Sequence, residues 1–413
     1  MALSLEVEKI DALVEQVKED VIHWRRHLHQ NPELSFQEVE TSQFIYDTLA
    51  SFGGLVLSRP TKTSVVARLK GAKPGRVLAI RADMDALPIQ EENAFDFVSK
   101  HDGVMHACGH DGHTAMLLGA AKILAGLKDQ IAGEIRFLFQ HAEEQLPGGA
   151  EEMVQAGVMD GVDQVIGAHL WSPLEAGKIE LVSGPMMAAP DAFYITINGK
   201  GGHGAQPHLA IDSIAIGAQV VTNLQHIVSR NIDPLDPVVL SVTQFIAGTA
   251  HNVIPGSVFI SGTVRTFKPA LQEEVIRLME RVVKGVTEAH GATYDFQYVK
   301  GYRPVINDPE VTAKLREVLV ETFGEDAIQD GVPTMGGEDF SGFQQKAPGT
   351  FFFIGAGNAD KGIVYPHHHA RFTVDEDGCI ALRGESVRRR QPDVNCLKRI
   401  SRFFTGWPFT LKK

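Results

Sequence analysis

Apolar residues recur along this chain in two rhythms. Between Ala192 and Asn198 small and apolar residues alternate, the period of a half-buried strand. From Ile211 to Ser229 the spacing becomes helical, with Ile214, Ala218, Val221, Leu224, Gln225 and Val228 on one side. Pro237–Ile246 and Val258–Phe267 return to strand, Leu271–His290 reads as a second helix stopped by Gly291, and Tyr294–Lys300 is a last strand. This βαββαβ order predicts a ferredoxin-like α+β unit. Its flanks differ: a strand-like run ends at Asp83, a helical run starts near Thr114, and apolar strands cover Glu134–Phe139 and Val165–Trp171. Alternating strands and helices predict an α/β fold, a mixed, mostly parallel sheet flanked by helices. The expected organisation is a discontinuous domain, residues 1–186 and 299–413, interrupted by the smaller unit at 187–298.

Composition narrows the partners. A chain of 413 residues is long enough for two domains with real cores. Charged residues at 22% and hydrophobic ones at 44% describe an ordinary globular protein. A net charge of −12 argues against nucleic acid as a partner. Met1–Lys18 is acidic and amphipathic, without the apolar centre of a signal peptide, and no run approaches the roughly 18 apolar residues of a membrane helix. Cys108, Cys379 and Cys396 make no disulfide framework, and a thiolate ligand favours a reducing compartment. The expectation is a cytoplasmic protein with no membrane partner. Only the end departs from this: Cys379–Lys413 carries nine Lys and Arg against two Asp and Glu. That charge fits a basic tail or a shifted reading frame, while Phe403, Phe404 and Trp407 are too apolar for a plain solvated tail.

The densest chemistry is Met105–His113, MHACGHDGH, with one thiol, three imidazoles and a carboxylate in nine residues. Cys108 and His110, two residues apart, can face one ion, and both suit zinc or a similar divalent metal. His106 and His113 read as ordinary loop and capping histidines. The segment follows a strand end, where open α/β sheets place their chemistry. Downstream, Glu143 and Glu144 close the strand at Glu134–Phe139. Two adjacent carboxylates there need positive compensation. With a divalent ion, one glutamate binds it and its neighbour accepts a proton from the attacking water. His169 sits near the end of its own strand and, taken alone, reads as a core histidine hydrogen-bonded to backbone. A triplet, His367-His368-His369, comes late.

The motifs RHLHQNPELS (26–35), RADMDALP (81–88), the Cys108/His110 block, Glu143-Glu144 and GGEDF (336–340) stand in one order. Together, over about residues 15–378, they resemble the metal-dependent amidohydrolases of the M20 peptidase family. The nearest branch is that of N-acyl-L-amino acid amidohydrolases (aminoacylases), hippurate hydrolases and auxin-conjugate hydrolases. The resemblance implies two divalent ions per subunit (zinc, manganese, cobalt or nickel) held by Cys108, His110, Glu144, His169 and His368, with Glu143 as general base. His368 is taken from the triplet because the family's ligand precedes the phenylalanine matched by Phe372 by four residues. More distant relatives have a metal-binding histidine where this chain has Asp83. The resemblance also implies that the inserted unit is a lid and the surface of a homodimer or homotetramer.

Other residues carry weaker signals. His203, in the turn Gly199–Gly204, would by resemblance donate to the developing oxyanion, from a partner subunit; a water-facing turn histidine is the alternative. The turn's glycines lack the Lys-Ser/Thr pair of a phosphate loop. Asn252 and Arg265 are further substrate-binding candidates, and an arginine fork suits an α-carboxylate, although an exposed strand arginine fits too. Asp85 shares a strand face with Asp83 and resembles the carboxylate that orients a ligating histidine, with a turn cap before Pro88 as the alternative. Gly337 and Glu338, with Asp339, are expected to shape the substrate pocket.

The leading expectation is hydrolysis of N-acyl-L-amino acids. An M20-type carboxypeptidase or N-acetyl-diaminopimelate deacetylase is the runner-up within that class. A cysteine hydrolase using Cys108 would have no need of Glu143-Glu144, and a non-catalytic binder would have no need of Glu143.

Overall fold

The computed structural model describes residues 7–380. The chain forms two compact units, one running to Gly184 and continuing through Ile306–Val332 and from Asp339 onward, the other Pro185–Val305 with Pro333–Glu338. Among the described residues no helix is long and apolar enough to cross a membrane. The basic stretch expected at the end lies, past residue 380, outside the described residues.

The larger unit is built on eight strands: β1 Val56–Ser58, β2 Val65–Lys70, β3 Lys73–Asp83, β4 Ala132–Gln140, β5 Gln164–Glu175, β6 Ile179–Leu181, β7 Ile328–Asp330 and β8 Gly349–Gly357. Their order is β1-β2-β4-β3-β5-β8-β6-β7. The middle four, β4-β3-β5-β8, are parallel to one another, and antiparallel pairs occur only outside them. Strands covered on both faces need apolar side chains at every position. Accordingly β8, GTFFFIGAG, is buried throughout. Helices α1 (Val7–Gln30), α2 (Val39–Phe52), α3 (His110–Ala125) and α4 (Pro309–Phe323) flank the sheet, with α1 packed along α3. Because the central strands are parallel, their carboxyl ends share one edge. Asp83 is level with Gln140, and Arg81 is level with Gly167, so His169, two residues on, arrives at the same edge.

The smaller unit has four antiparallel strands, in the order Val238–Ile246, Ser257–Thr266, Ala189–Asn198, Thr293–Val299. Helices Ser213–His226 and Pro269–Ala289 cover one face. The alternation read at 192–198 is seen directly: Phe193, Ile195 and Ile197 are buried against Ile216, Val220 and Leu224 of the first helix and Val275, Leu278 and Val283 of the second. Asp212 caps the first helix by accepting from the N–H groups of Ile214 and Ala215. Gly291, at φ 71°, ends the second; Ala292 N–H donates to Thr287 O and Gly291 N–H to Glu288 O, satisfying carbonyls that the helix leaves open.

One boundary differs in a way that matters. The helix expected to begin near Thr114 begins at His110. The reversal that allows this is Gly109, whose φ of 96° is left-handed backbone that a side chain would strain.

Candidate metal centre

The Gly109 turn puts Cys108 just before α3 and His110 in its first residue, so thiol and imidazole converge from opposite sides of one reversal. Both are buried, as are Glu143 and His169. Donor atoms of Cys108, His110 and His169 lie within 4.8 Å of one another, and so do those of Cys108, Glu144 and His368. A third set, His110, Glu143 and Glu144, meets the same limit. Cys108 is thus common to two donor triads. These are the five residues expected as ligands, drawn together from the turn before α3, the segment after β4, the end of β5 and the loop before Phe372.

The spacings fall in or near the range that ligands of one ion adopt. Bonds of about 2.0–2.3 Å in a tetrahedral site put ligand atoms roughly 3.3–3.8 Å apart. Cys108 Sγ is 3.5 Å from His169 Nε2. His110 Nε2 is 3.9 Å from Glu144 Oε1, too far for a hydrogen bond, and His368 Nε2 is 3.2 Å from that oxygen. His110 Nε2 is buried and makes no hydrogen bond, and Glu144 Oε1 is buried against His368 Nε2. Burial alone would push the His110 pKa down, but Asp83, Asp85 and Glu144 outweigh it and hold it up at about 10. Burial, then Glu144 and Glu143, push the Cys108 thiol up. An excess of carboxylates facing a thiol and an imidazole is balanced when a cation takes the proton's place. The donor set, mixed sulfur, nitrogen and oxygen, suits a borderline divalent metal.

Polar groups behind these donors fix their direction. Asp85 is fully buried; His110 Nδ1–H reaches both its main-chain oxygen at 2.9 Å and its Oδ1 at 3.2 Å, which turns Nε2 toward the cluster. Asp85 Oδ2 accepts from Ser35 Oγ (2.6 Å) and from Glu144 N–H (3.0 Å), tying one carboxylate to two sides of the site. Both Asp85 carboxylate oxygens are thus engaged by His110, Ser35 and Glu144. His169 Nδ1–H donates to Leu170 O at 2.8 Å, leaving Nε2 with the lone pair that faces Cys108. His367 Nε2 lies 2.8 Å from the same carbonyl, with the ring stacked on Trp171, and burial pushes its pKa down to about 4. That nitrogen is already engaged. Asp83 and His113 also come close to His110, yet both Asp83 oxygens are taken, Oδ1 by His113 at 2.6 Å and Oδ2 by Arg81 at 2.7 Å.

Backbone strain concentrates here as well. Ala142, immediately before Glu143, has φ 49°, and His368 has φ 65°. Each left-handed non-glycine residue costs about 1–3 kcal/mol and persists only where its surroundings enforce it. For Ala142 the enforcing group is Glu38, whose Oε1 accepts from Ala142 N–H at 2.8 Å and from the N–H of Phe36, itself at φ 66°. His368 is held by its N–H donating to Ala107 O. Sequence reasoning missed Glu38; nothing at a lone Glu after a loop signals a contact 104 residues away. It also misread His113. That residue is neither loop nor cap: it lies in the first turn of α3, buried, with both ring nitrogens engaged. His106 is buried too, with no hydrogen bond to either nitrogen.

In the smaller unit, His203 and Asn252 fall side by side. Gly202–His203 pairs with Val253–Ile254, and Gly204 N–H donates to Asn252 O at 2.8 Å. Both are exposed, and His203 Nδ1 accepts from Ala205 N–H. Arg265 is half-buried; its guanidinium donates to the carbonyls of Met335, Asp191 and Val264. Gly337 sits so close to Pro190 that an added Cβ would fall 2.5 Å from its Cγ, so only glycine fits there. Glu338 is buried.

Three likenesses bear on this arrangement. The chain is 74% identical over 303 residues, 73% of this chain and 82% of the other, to a Geobacillus stearothermophilus protein named N-acyl-L-amino acid amidohydrolase. It is 44% identical over 376 residues, 90% of this chain and 94% of the other, to thermostable carboxypeptidase 2 of Saccharolobus solfataricus. Among solved structures, a Bacillus subtilis dinuclear metal-binding peptidase of the M20 family superposes with a TM-score of 0.78 at 35% identity, covering 95% of this chain and 98% of that one. Residues 79–381, which carry every donor of the cluster, match peptidase family M20/M25/M40, and the chain belongs to that family.

Proposed function

We propose that this protein hydrolyses the amide bond of N-acyl-L-amino acids, releasing a carboxylic acid and a free amino acid. The observation that carries the reading is the pair of donor triads sharing Cys108 with the Glu143 carboxylate beside them. The 74% identical relative named for this activity supports the substrate class. Cys108, His110, Glu144, His169 and His368 would hold two divalent ions. Bound there, zinc, manganese, cobalt or nickel supplies a Lewis acid for the scissile carbonyl and lowers the pKa of water.

Glu143 takes a proton from the attacking water as its oxygen bonds the carbonyl carbon, and returns it to the amine nitrogen as the C–N bond breaks. Asp85 keeps His110 in the ligating tautomer. His203 donates to the developing oxyanion, Asn252 and Arg265 orient the substrate, and Gly337 and Glu338 shape its pocket. The inserted unit serves as the lid and as the surface of a homodimer or homotetramer, and the protein works in the cytoplasm. Nucleic acid and membrane are not partners.

The carboxypeptidase relative supports a second reading, in which the scissile amide is a C-terminal peptide bond. Cysteine hydrolysis is disfavoured because a nucleophilic thiol needs a lowered pKa, and Cys108 is pushed the other way. The test compares two adjacent carboxylates on N-acyl amino acids and on peptides. Glu143→Gln is expected to retain metal and lose turnover by about 10²–10⁴-fold, whereas Glu144→Ala loses metal too. Near-normal kcat in metal-replete Glu143→Gln sinks the general-base role, and turnover confined to peptides replaces the first reading by the second.

A further inference from the structure

At the carboxyl end of β5 the sheet runs out on one side. The last register pair between β3 and β5 is Arg81 with Gly167, and Leu170 lies beyond it. Its peptide groups are buried all the same, and a buried N–H or C=O without a partner is destabilising. Imidazoles take the place of the missing strand. Leu170 N–H donates to His113 Nε2 at 2.8 Å. Leu170 O lies 2.8 Å from His169 Nδ1 and 2.8 Å from His367 Nε2. One residue's backbone therefore joins α3, β5 and the loop before Phe372.

His113 can accept from Leu170 N–H only as the tautomer with its proton on Nδ1, and Asp83 Oδ1 receives that proton at 2.6 Å. Asp83 is set by Arg81 Nη1 at 2.7 Å, and Arg81 in turn by Asp339 at 2.9 Å and Gln140 at 2.7 Å. Every member of this relay is buried. It terminates on Leu170 N–H, on the same residue whose carbonyl aims His169 Nε2 toward Cys108. We propose that His113 is a positioning residue, which anchors the Leu170 backbone through its N–H so that the carbonyl of the same residue keeps the His169 imidazole directed at Cys108. This rests on the reading of Cys108 and His169 as metal ligands; both ring nitrogens of His113 are engaged by protein groups.

The relay makes Asn and Gln at position 113 unequal although they carry the same amide. Asn reaches Asp83 but stops short of Leu170 N–H, whereas Gln, one methylene longer, places its carbonyl oxygen near the Nε2 position. The full-length protein is loaded with cobalt(II), and binding is measured by chelator competition, with the visible absorption spectrum recorded alongside. His113→Asn should bind one cobalt equivalent about 10- to 100-fold more weakly, with an altered spectrum and reduced kcat at little-changed KM. His113→Gln should restore most of the affinity and the spectrum. A merely structural role would lower the melting temperature of both variants and leave cobalt affinity alone. Equal cobalt affinities in the two folded variants overturn the inference. His169→Ala separates this from failure of the underlying reading. If that variant binds cobalt like the wild type, His169 is no ligand and both ideas fall. If it loses cobalt while His113→Asn does not, only the positioning role falls.

Discussion

Asp85→Ala removes the one carboxylate that touches three parts of the candidate site. Its Oδ2 is an acceptor for Ser35 Oγ–H and Glu144 N–H, and Oδ1 shares His110 Nδ1–H with the residue's own carbonyl. The substitution leaves that carbonyl in place, so His110 keeps its 2.9 Å contact and loses only the longer one. Ser35 and Glu144 N–H lose this acceptor. Each buried donor left without a partner costs about 1–3 kcal/mol, so the fold should lose roughly 2–6 kcal/mol. Set against a total stability of about 5–15 kcal/mol, the variant folds but melts well below the wild type. The site suffers separately: a loosened His110 and a displaced Glu144 should weaken metal binding about 10- to 100-fold. Asp85→Asn keeps one acceptor oxygen and should fall between. Urea unfolding with and without added metal measures both effects, because metal binding adds stability in proportion to its affinity. If Asp85→Ala matches the wild type in chelator while binding metal equally well, the reasoning is refuted.

Other outcomes follow from the same geometry. If a cation masks the Cys108 thiol, iodoacetamide should label it much faster after chelation, and equal rates with and without metal would count against ligation. Asp111 bears on pH: burial alone would raise its pKa, but Arg25 and His29 hold it far below the ordinary 3.8. A depressed carboxylate contributes stability that is present above the unfolded value and lost as pH falls below it. Asp111→Asn should therefore reduce the dependence of unfolding free energy on pH below about 4 by up to about 1.4 kcal/mol per pH unit, read from urea midpoints. An unchanged acid limb would show that this pair does not shape acid stability.

The two-unit pattern and most of the donor set were legible because each is written locally. The switch from alternating to helical spacing over 192–229 needs only neighbouring residues, and so does the stop at Gly291. Cys108 and His110 announce themselves by type and spacing, and Glu143-Glu144 by the improbability of paired carboxylates at a buried strand end. His368 was separable from its neighbours only through the family resemblance. The structure adds an independent reason, since His367 is engaged by Leu170 O.

The rest was decided by tertiary structure. Gly109 is a glycine like many others in the chain, and only folded backbone at φ 96° moves the start of α3 to His110 and carries His113 inside the protein. Glu38 gains its meaning from Ala142, and Leu170 from the end of the β3–β5 ladder. In each case the partner is distant in sequence and the signal is a backbone N–H or C=O, which every residue possesses. Periodicity and composition report what a side chain prefers, so apolar faces and clustered ligands can be read from the chain alone. Which main-chain group loses its partner at a sheet edge, and which imidazole then turns to satisfy it, depends on strand order and register, and only the folded chain determines those.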